Sequence, residues 1–238
     1  MRARAKIGFE AVRIYGNDCN TLTNVIPACI KEGLEVIAGI FIKPGGQCSV
    51  NNPDVQQQIN GLKALGNWDV IRLIVAGNES AFNKLCTGAE LAQLIKDVRS
   101  QCTGYTGPIT CAETLNIWQE PDFAGPMCEV VDVVGANIHA IFNPDVTAAG
   151  AGDFVKGQID ILEKICGKNV INLETGWKHS GGCNGDACAG PSEQQTAIAS
   201  IREKCGSQSV FFSFDDAAWK GDADAWWGLG DVFGYKAT

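Results

Sequence analysis

No apolar run in the 238-residue chain reaches the roughly 18 residues that a membrane-crossing helix needs. No CxxC pair occurs among the eleven cysteines, so the usual zinc spacing is missing and no metal is expected. No G-x-G-x-x-G follows the first predicted strand, which leaves a dinucleotide cradle without support. Positive charge is in deficit: 19 Lys and Arg stand against 27 Asp and Glu, a net charge of −8. A chain of that sign is a poor partner for nucleic acid or an anionic membrane, whereas a neutral or cationic ligand meets no such barrier. The opening stretch 1–9 starts basic but has no apolar core of the kind that marks an export signal. No linker or low-complexity segment interrupts the sequence, so 1–238 reads as one domain.

What the chain does have is apolar mass and sulfur. Hydrophobic residues make up 45% and charged residues 19%, which is globular and sufficient for a sizeable core. The eleven cysteines, scattered from Cys19 to Cys205, argue for disulfides and an oxidising compartment, with buried thiols as the alternative. Cys183 and Cys188 share one Gly-rich loop and are candidates for a local bridge. An odd number leaves at least one thiol unpaired within this chain.

Strand-like and helix-like segments alternate. Apolar runs near residues 12, 35, 70, 108, 131, 170 and 209 read as seven strands, the fifth spanning Val131–His139 and the last Ser209–Phe214. Helices are expected over about 20–32, ended by Gly33; from Pro53 to about Leu65; from a capping box at Thr87–Glu90 to about Ser100; and over 153–166. A further capping box is expected at Ser192–Gln195, and the turn 5–8 reads as a helix end. Nearly all-apolar strands alternating with helices imply a parallel sheet covered on its faces.

Polar residues gather where these strands end: Tyr15, Asn78, Glu79, Glu113, His139, Glu174, Asp215 and Asp216. In a (β/α)8 barrel all such ends open on one mouth. Two stretches share a grammar, Val70–Glu79 and Asn169–Glu174: a buried strand, then a carboxylate. Either Glu alone could cap a helix or face solvent. Two carboxylates at one mouth suggest glycoside hydrolysis, where one protonates the leaving oxygen and the other attacks the anomeric carbon or activates water.

Ala-Gly-Asn78-Glu79-Ser followed by Leu-Glu174-Thr-Gly-Trp177 resembles glycoside hydrolase family 17, the β-1,3-glucanases and glucanosyltransferases, and most closely its fungal cell-wall members. Gly8–Cys19, Val36–Phe41, Phe214–Lys220 and Trp227-Gly-Leu fit as well, so the resemblance covers nearly the whole chain. It implies a (β/α)8 TIM barrel with retaining chemistry, Glu79 as acid/base and Glu174 as nucleophile, their carboxyl groups about 5–6 Å apart. Asn78 would bond the sugar 2-hydroxyl and Tyr15 would lie beside the reacting sugar. Phe142, Trp177 and Trp219 would stack on glucosyl rings, unless they pack in the core. Lys220 and Asp224 match the family's polar pair after the last strand, with Asp216 in the Asp-Asp pair of that strand. His139 is expected to make a structural hydrogen bond. The sequon at Asn78 lies in the proposed site and is expected to stay unmodified.

Three departures stand out. Lys178 replaces the proline that commonly follows the ETGW motif, Asp215-Asp216 replaces an Asp-Glu pair, and the family's first strand and most of its first helix have no counterpart. The expectation is therefore a barrel with seven visible strands, gapped between its first and last. The expected function is a secreted, monomeric enzyme without cofactor, acting on β-1,3-glucan in the fungal cell wall by hydrolysis or transfer. The alternative is a catalytically impaired glucan-binding or structural wall protein of the same fold.

Overall fold

A computed structural model describes residues 8–221 and 224–234. The chain divides into two compact units, Met1–Gly135 with Ile165–Asn169, and Ala136–Lys164 with Val170–Thr238.

In the first unit, β1 (Ala11–Ile14), β2 (Glu35–Ile40), β3 (Ile71–Asn78) and β4 (Ile109–Ala112) form one sheet in sequence order. All three pairings are parallel, with Ile14 opposite Ala38, Ala38 opposite Ile74, and Ile74 opposite Ile109. Strands β2, β3 and β4 are almost wholly buried because helices cover them, so most of their side chains are apolar, whereas β1 alternates half-buried and buried residues. Those helices are α1 (Thr21–Glu32), α2 (Pro53–Ala64) and α3 (Gly88–Gln101), followed by the short α4 (Leu115–Trp118) and α5 (Pro121–Val130). Each boundary has a local cause. Gly33, at φ +68°, closes α1 by returning its N–H to the Cys29 and Ile30 carbonyls. Asn52 caps α2 through Asp54 N–H, with Pro53 in the first turn. Thr87 and Glu90 form a complete capping box on α3. Ile74, Leu91, Leu94, Ile95, Ile109 and Met127 fill the core. Disulfides join Cys48 to Cys86 and Cys128 to Cys166.

The second unit carries the sheet β5 (Val134–Asn137), β6 (Val170–Thr175) and β9 (Ser209–Phe211), ordered β5-β6-β9 with β6 and β9 parallel. A two-stranded antiparallel hairpin, β7 (Cys183–Asn184) and β8 (Ala187–Cys188), is bridged by the Cys183–Cys188 disulfide. Its helices are α6 (Ala151–Cys166), α7 (Pro191–Cys205) and the short α8 (Gly230–Phe233). Val155, Ile159, Leu162, Leu173, Ile198 and Ile201 are its buried centre.

Among the described residues, seven sheet strands stand where seven are expected. Some boundaries differ. The fifth strand is Val134–Asn137 only, because α5 extends to Val130 and the Asp132 carboxylate turns aside to accept Ile109 N–H at 2.7 Å. The last strand stops at Phe211. No capping box opens α7: the helix begins one residue earlier with Pro191 in its first turn, and Ser192 Oγ bonds Glu193. Proline suits that first position because its missing N–H is one of the groups without an intrahelical partner in any case. The helix end expected at 5–8 falls mostly outside the described residues; Gly8 itself is left-handed, at φ +88°. The hairpin and the helices α4 and α5 are not among the elements expected from the sequence.

Of the cysteines, six are paired. Cys102, Cys111 and Cys205 are buried thiols, and Cys19 is an exposed one. Both readings of the sulfur therefore apply, to different cysteines.

Candidate active site

Parallel strands bring their carboxyl ends to one edge. Tyr15 directly follows β1, Glu79 follows β3 and Glu113 follows β4, so sheet order alone gathers them. Asn78 closes β3, and its Oδ1 accepts from Arg13 Nη2 at 2.7 Å. The same guanidinium lies over the Tyr15 ring at 4.4 Å, fixing ring and amide relative to each other. Glu79 stands in the left-handed region, φ +49°, which a residue with a Cβ seldom occupies. Its N–H donates to Ala112 O at 2.7 Å, and its carbonyl accepts from Asn83 N–H at 2.9 Å. Gly77, at φ +87°, allows the approach: a Cβ there would meet Leu91 Cδ2 at 2.9 Å and Ser80 Oγ at 3.0 Å.

Glu113 is fully buried. Its oxygens accept from Ala81 N–H at 2.8 Å and Phe82 N–H at 3.1 Å. Burial raises its pKa to about 7, against the pull of those amide bonds; the nearby Glu79 charge adds to the rise. The Phe82 ring, beside this turn, is exposed.

The second unit holds the other carboxylate. Glu174 lies near the end of β6 with its side chain 15% exposed. Its Oε1 is 3.0 Å from His139 Nε2. The His139 ring is enclosed by Trp227, Phe142 and Phe212, with centroids at 4.9, 5.6 and 6.1 Å. His139 Nδ1 is buried and has no hydrogen-bond partner. Nε2 is thus the ring nitrogen that engages Glu174, while Nδ1 lies among the aromatic rings. That is the structural hydrogen bond expected of His139, and its partner is a candidate catalytic group.

The other expected site residues have the following surroundings. Trp177 is fully buried, and its indole N–H donates to Cys188 O at 2.9 Å. It is a core side chain that ties β6 to the hairpin, which corrects the expectation that it stacks on sugar. Asp216 is held by His179 Nε2 at 2.9 Å and by Gly228 N–H at 2.7 Å, so it latches two loops together. Asp224 lies 3.8 Å from Lys178 Nζ. Lys178 also lies over the Phe142 and Trp227 rings, at 5.6 and 5.0 Å. Lys220 lies over Phe212 and Trp219, at 5.5 and 5.4 Å. Phe142 and Trp219 keep 59% and 83% of their surface open, so both can offer a ring face to a ligand. Nothing in the local sequence pattern marks His179 or Phe82, while Glu113 stands out only as a strand-end acid. Among the described residues no cluster of His, Cys, Asp and Glu could hold a metal ion.

A family model described as the BtgE/BtgC glycoside hydrolase domain matches residues 1–234. The chain belongs to the BtgE/BtgC glycoside hydrolase domain family. This BtgE/BtgC domain is 44% identical over 233 residues to a probable β-glucosidase btgE of Neosartorya fischeri, covering 95% of the chain and 41% of that relative. A relative of the same description in Aspergillus terreus is 42% identical over 233 residues, covering 95% and 40%. The chain thus spans about two fifths of the length of the curated relatives it matches. Among solved structures it resembles a glycoside hydrolase family 17 β-1,3-glucanosyltransferase from Rhizomucor miehei, with TM-score 0.79, 21% identity, and 92% of this chain and 81% of that one covered. It also resembles a β-1,3-glucanase and allergen of Cryptomeria japonica pollen, with TM-score 0.69, 16% identity, and coverage of 95% and 88%. At such identities the likeness shows the fold: the BtgE/BtgC domain has the alternating α/β architecture of the (β/α)8 glycoside hydrolases, with seven sheet strands among its described residues.

Proposed function

We propose that this domain is a retaining glycosidase acting on β-1,3-glucan, with Glu174 as nucleophile and Glu79 as acid/base. The observation that carries the reading is the environment of Glu174. A catalytic nucleophile must be held in a fixed orientation, and the buried His139 ring, with Nε2 3.0 Å from Oε1, serves that need. In the first step Glu174 attacks the anomeric carbon as the Glu79 proton passes to the departing glycosidic oxygen. In the second, Glu79 takes a proton from the incoming hydroxyl, which displaces the sugar from Glu174. Water as acceptor gives hydrolysis; another glucan gives transfer. Asn78 is assigned to the sugar 2-hydroxyl and Tyr15 to the reacting ring. Phe142 and Trp219, the open aromatic faces, serve as platforms for further glucosyl units, and Lys220 and Asp224 as polar contacts beside them.

The substrate class draws support from the resemblance to family 17 and from a solved neighbour of the same fold, a β-1,3-glucanosyltransferase bound to laminaritriose. The disulfides fit a secreted enzyme of the cell wall, working as a monomer. A second reading, a glucan-binding wall protein with impaired catalysis, is favoured by the 83% exposure of Trp219, since an open ring platform binds sugar whether or not it is cleaved.

Laminari-oligosaccharides with products sized by mass decide between these outcomes. Shorter products indicate hydrolysis, longer products transfer, and binding without change the second reading. Glu174→Gln is expected to lower turnover by at least about 1,000-fold, in line with loss of a group whose charge develops a bond in the transition state. Retained turnover in that variant removes the nucleophile assignment.

A further inference from the structure

Among the described residues, Glu113 is the only fully buried carboxyl group, and the chemistry proposed above does not use it. Its surroundings are specific. The chain leaves β3, turns at Glu79, and is tied on both sides of that residue to the end of β4. Glu79 N–H donates to Ala112 O at 2.7 Å. Two amides further along the turn, Ala81 and Phe82, donate to the two different oxygens of Glu113, at 2.8 and 3.1 Å. Between these anchors Glu79 holds a left-handed backbone, φ +49°, that a glutamate does not keep without external restraint.

The geometry points to Glu113 as a positioning residue for Glu79: the two oxygens of its carboxyl group clamp the Ala81 and Phe82 amides and so fix the turn that aims the acid/base. This inference rests on the reading of Glu79 as acid/base. The chemistry explains why a glutamic acid stands there. Two amide donors need two acceptor oxygens. A glutamine supplies one, and its NH2 would face the second amide donor to donor. An aspartate is one methylene shorter and cannot follow both amides from the same strand end. An apolar side chain would leave both N–H groups without this acceptor.

The test uses the full 238-residue chain as wild type, Glu113→Gln, Glu113→Asp and Glu79→Gln. Two substrates are compared by kcat/KM: a laminari-oligosaccharide, whose leaving oxygen needs a proton, and a 2,4-dinitrophenyl β-glucoside, whose leaving group does not. If Glu79 is the acid, Glu79→Gln loses about 100-fold or more on the oligosaccharide and stays within about 10-fold of wild type on the aryl glucoside. If Glu113 positions it, Glu113→Gln shows the same selective loss, about 10-fold or more on the oligosaccharide alone. Amide exchange at Ala81 and Phe82 should rise by about 10-fold or more while the amides of β2 keep their protection. An unchanged Glu113→Gln, or one that loses both substrates equally, overturns the positioning role. A selective loss in Glu79→Gln without one in Glu113→Gln overturns it while leaving Glu79 in place. A Glu79→Gln that is not selective, or a wild type that turns over neither substrate, removes the underlying reading and the inference with it. Should Glu113→Gln not fold, Glu113→Asp, which keeps the carboxyl group and loses the reach, carries the same comparison. A selective loss there supports the positioning role, and an unchanged or unselective variant overturns it.

Discussion

A single proton on Glu113 links its burial to measurable stability. Its folded pKa lies at about 7, raised chiefly by burial, from an ordinary value of 4.5. Between those values the native chain holds a proton that the unfolded chain has released. This contribution is therefore fully present below about pH 4.5 and is lost as pH rises through about 7, amounting to roughly 3 kcal/mol at about 1.4 kcal/mol per unit. Urea unfolding of wild type and Glu113→Gln at pH 5 and pH 7.5 checks it: the variant should lack this part of the fall. At this scale the sequence was legible in part. Glu79 and Glu174 stood out because each ends a long apolar strand, where a charged residue needs a reason. Trp177 misled, since its place two residues after β6 is visible in sequence but the direction of its ring is not. Glu113 was visible as a strand-end acid, yet its role lies in bonds to amides 31 and 32 residues away, which no local pattern records. His139 likewise finds Glu174 across 35 residues of chain.

Elements were most legible where boundary chemistry is local. The capping box of α3 is one such case: Thr87 Oγ1 accepts Glu90 N–H while the Glu90 carboxylate accepts Thr87 N–H. Thr87→Ala should cost about 1 kcal/mol, read as a lowered thermal midpoint with no change of fold. Gly33 and Pro53 were readable for the same reason, because a left-handed stop and a first-turn proline each carry their own conformational signature. Where the signature is ambiguous, legibility failed. Ser192–Gln195 has the letters of a capping box, but Pro191 had already started α7. Helix α5 contains Gly125 and Pro126, which read as breakers although tertiary packing keeps the segment helical, with Phe123 and Met127 buried. The β7–β8 hairpin is two residues per strand, too short for any periodicity, and its disulfide sets its pairing.

For the molecule as a whole, alternation of apolar strands with helices was enough to give the parallel architecture, and the solved structures share it. Cross-linking is where whole-chain behaviour departs from core packing alone. Cys48–Cys86 and Cys128–Cys166 each close 38 residues of chain, worth about 4 kcal/mol apiece in the chain-entropy account, against about 2 kcal/mol for Cys183–Cys188, which closes only 5. Replacing the first or second pair by serines should lower the urea midpoint clearly more than replacing the third, and reduction of the wild type should approach the sum. Cys102, Cys111 and Cys205 add a constraint of timing. Their sulfurs are sealed in the native interior but chemically competent in a nascent chain, where any of them could capture a partner meant for another. An oxidant that met the chain before hydrophobic collapse had hidden these three would therefore find them open to mispairing.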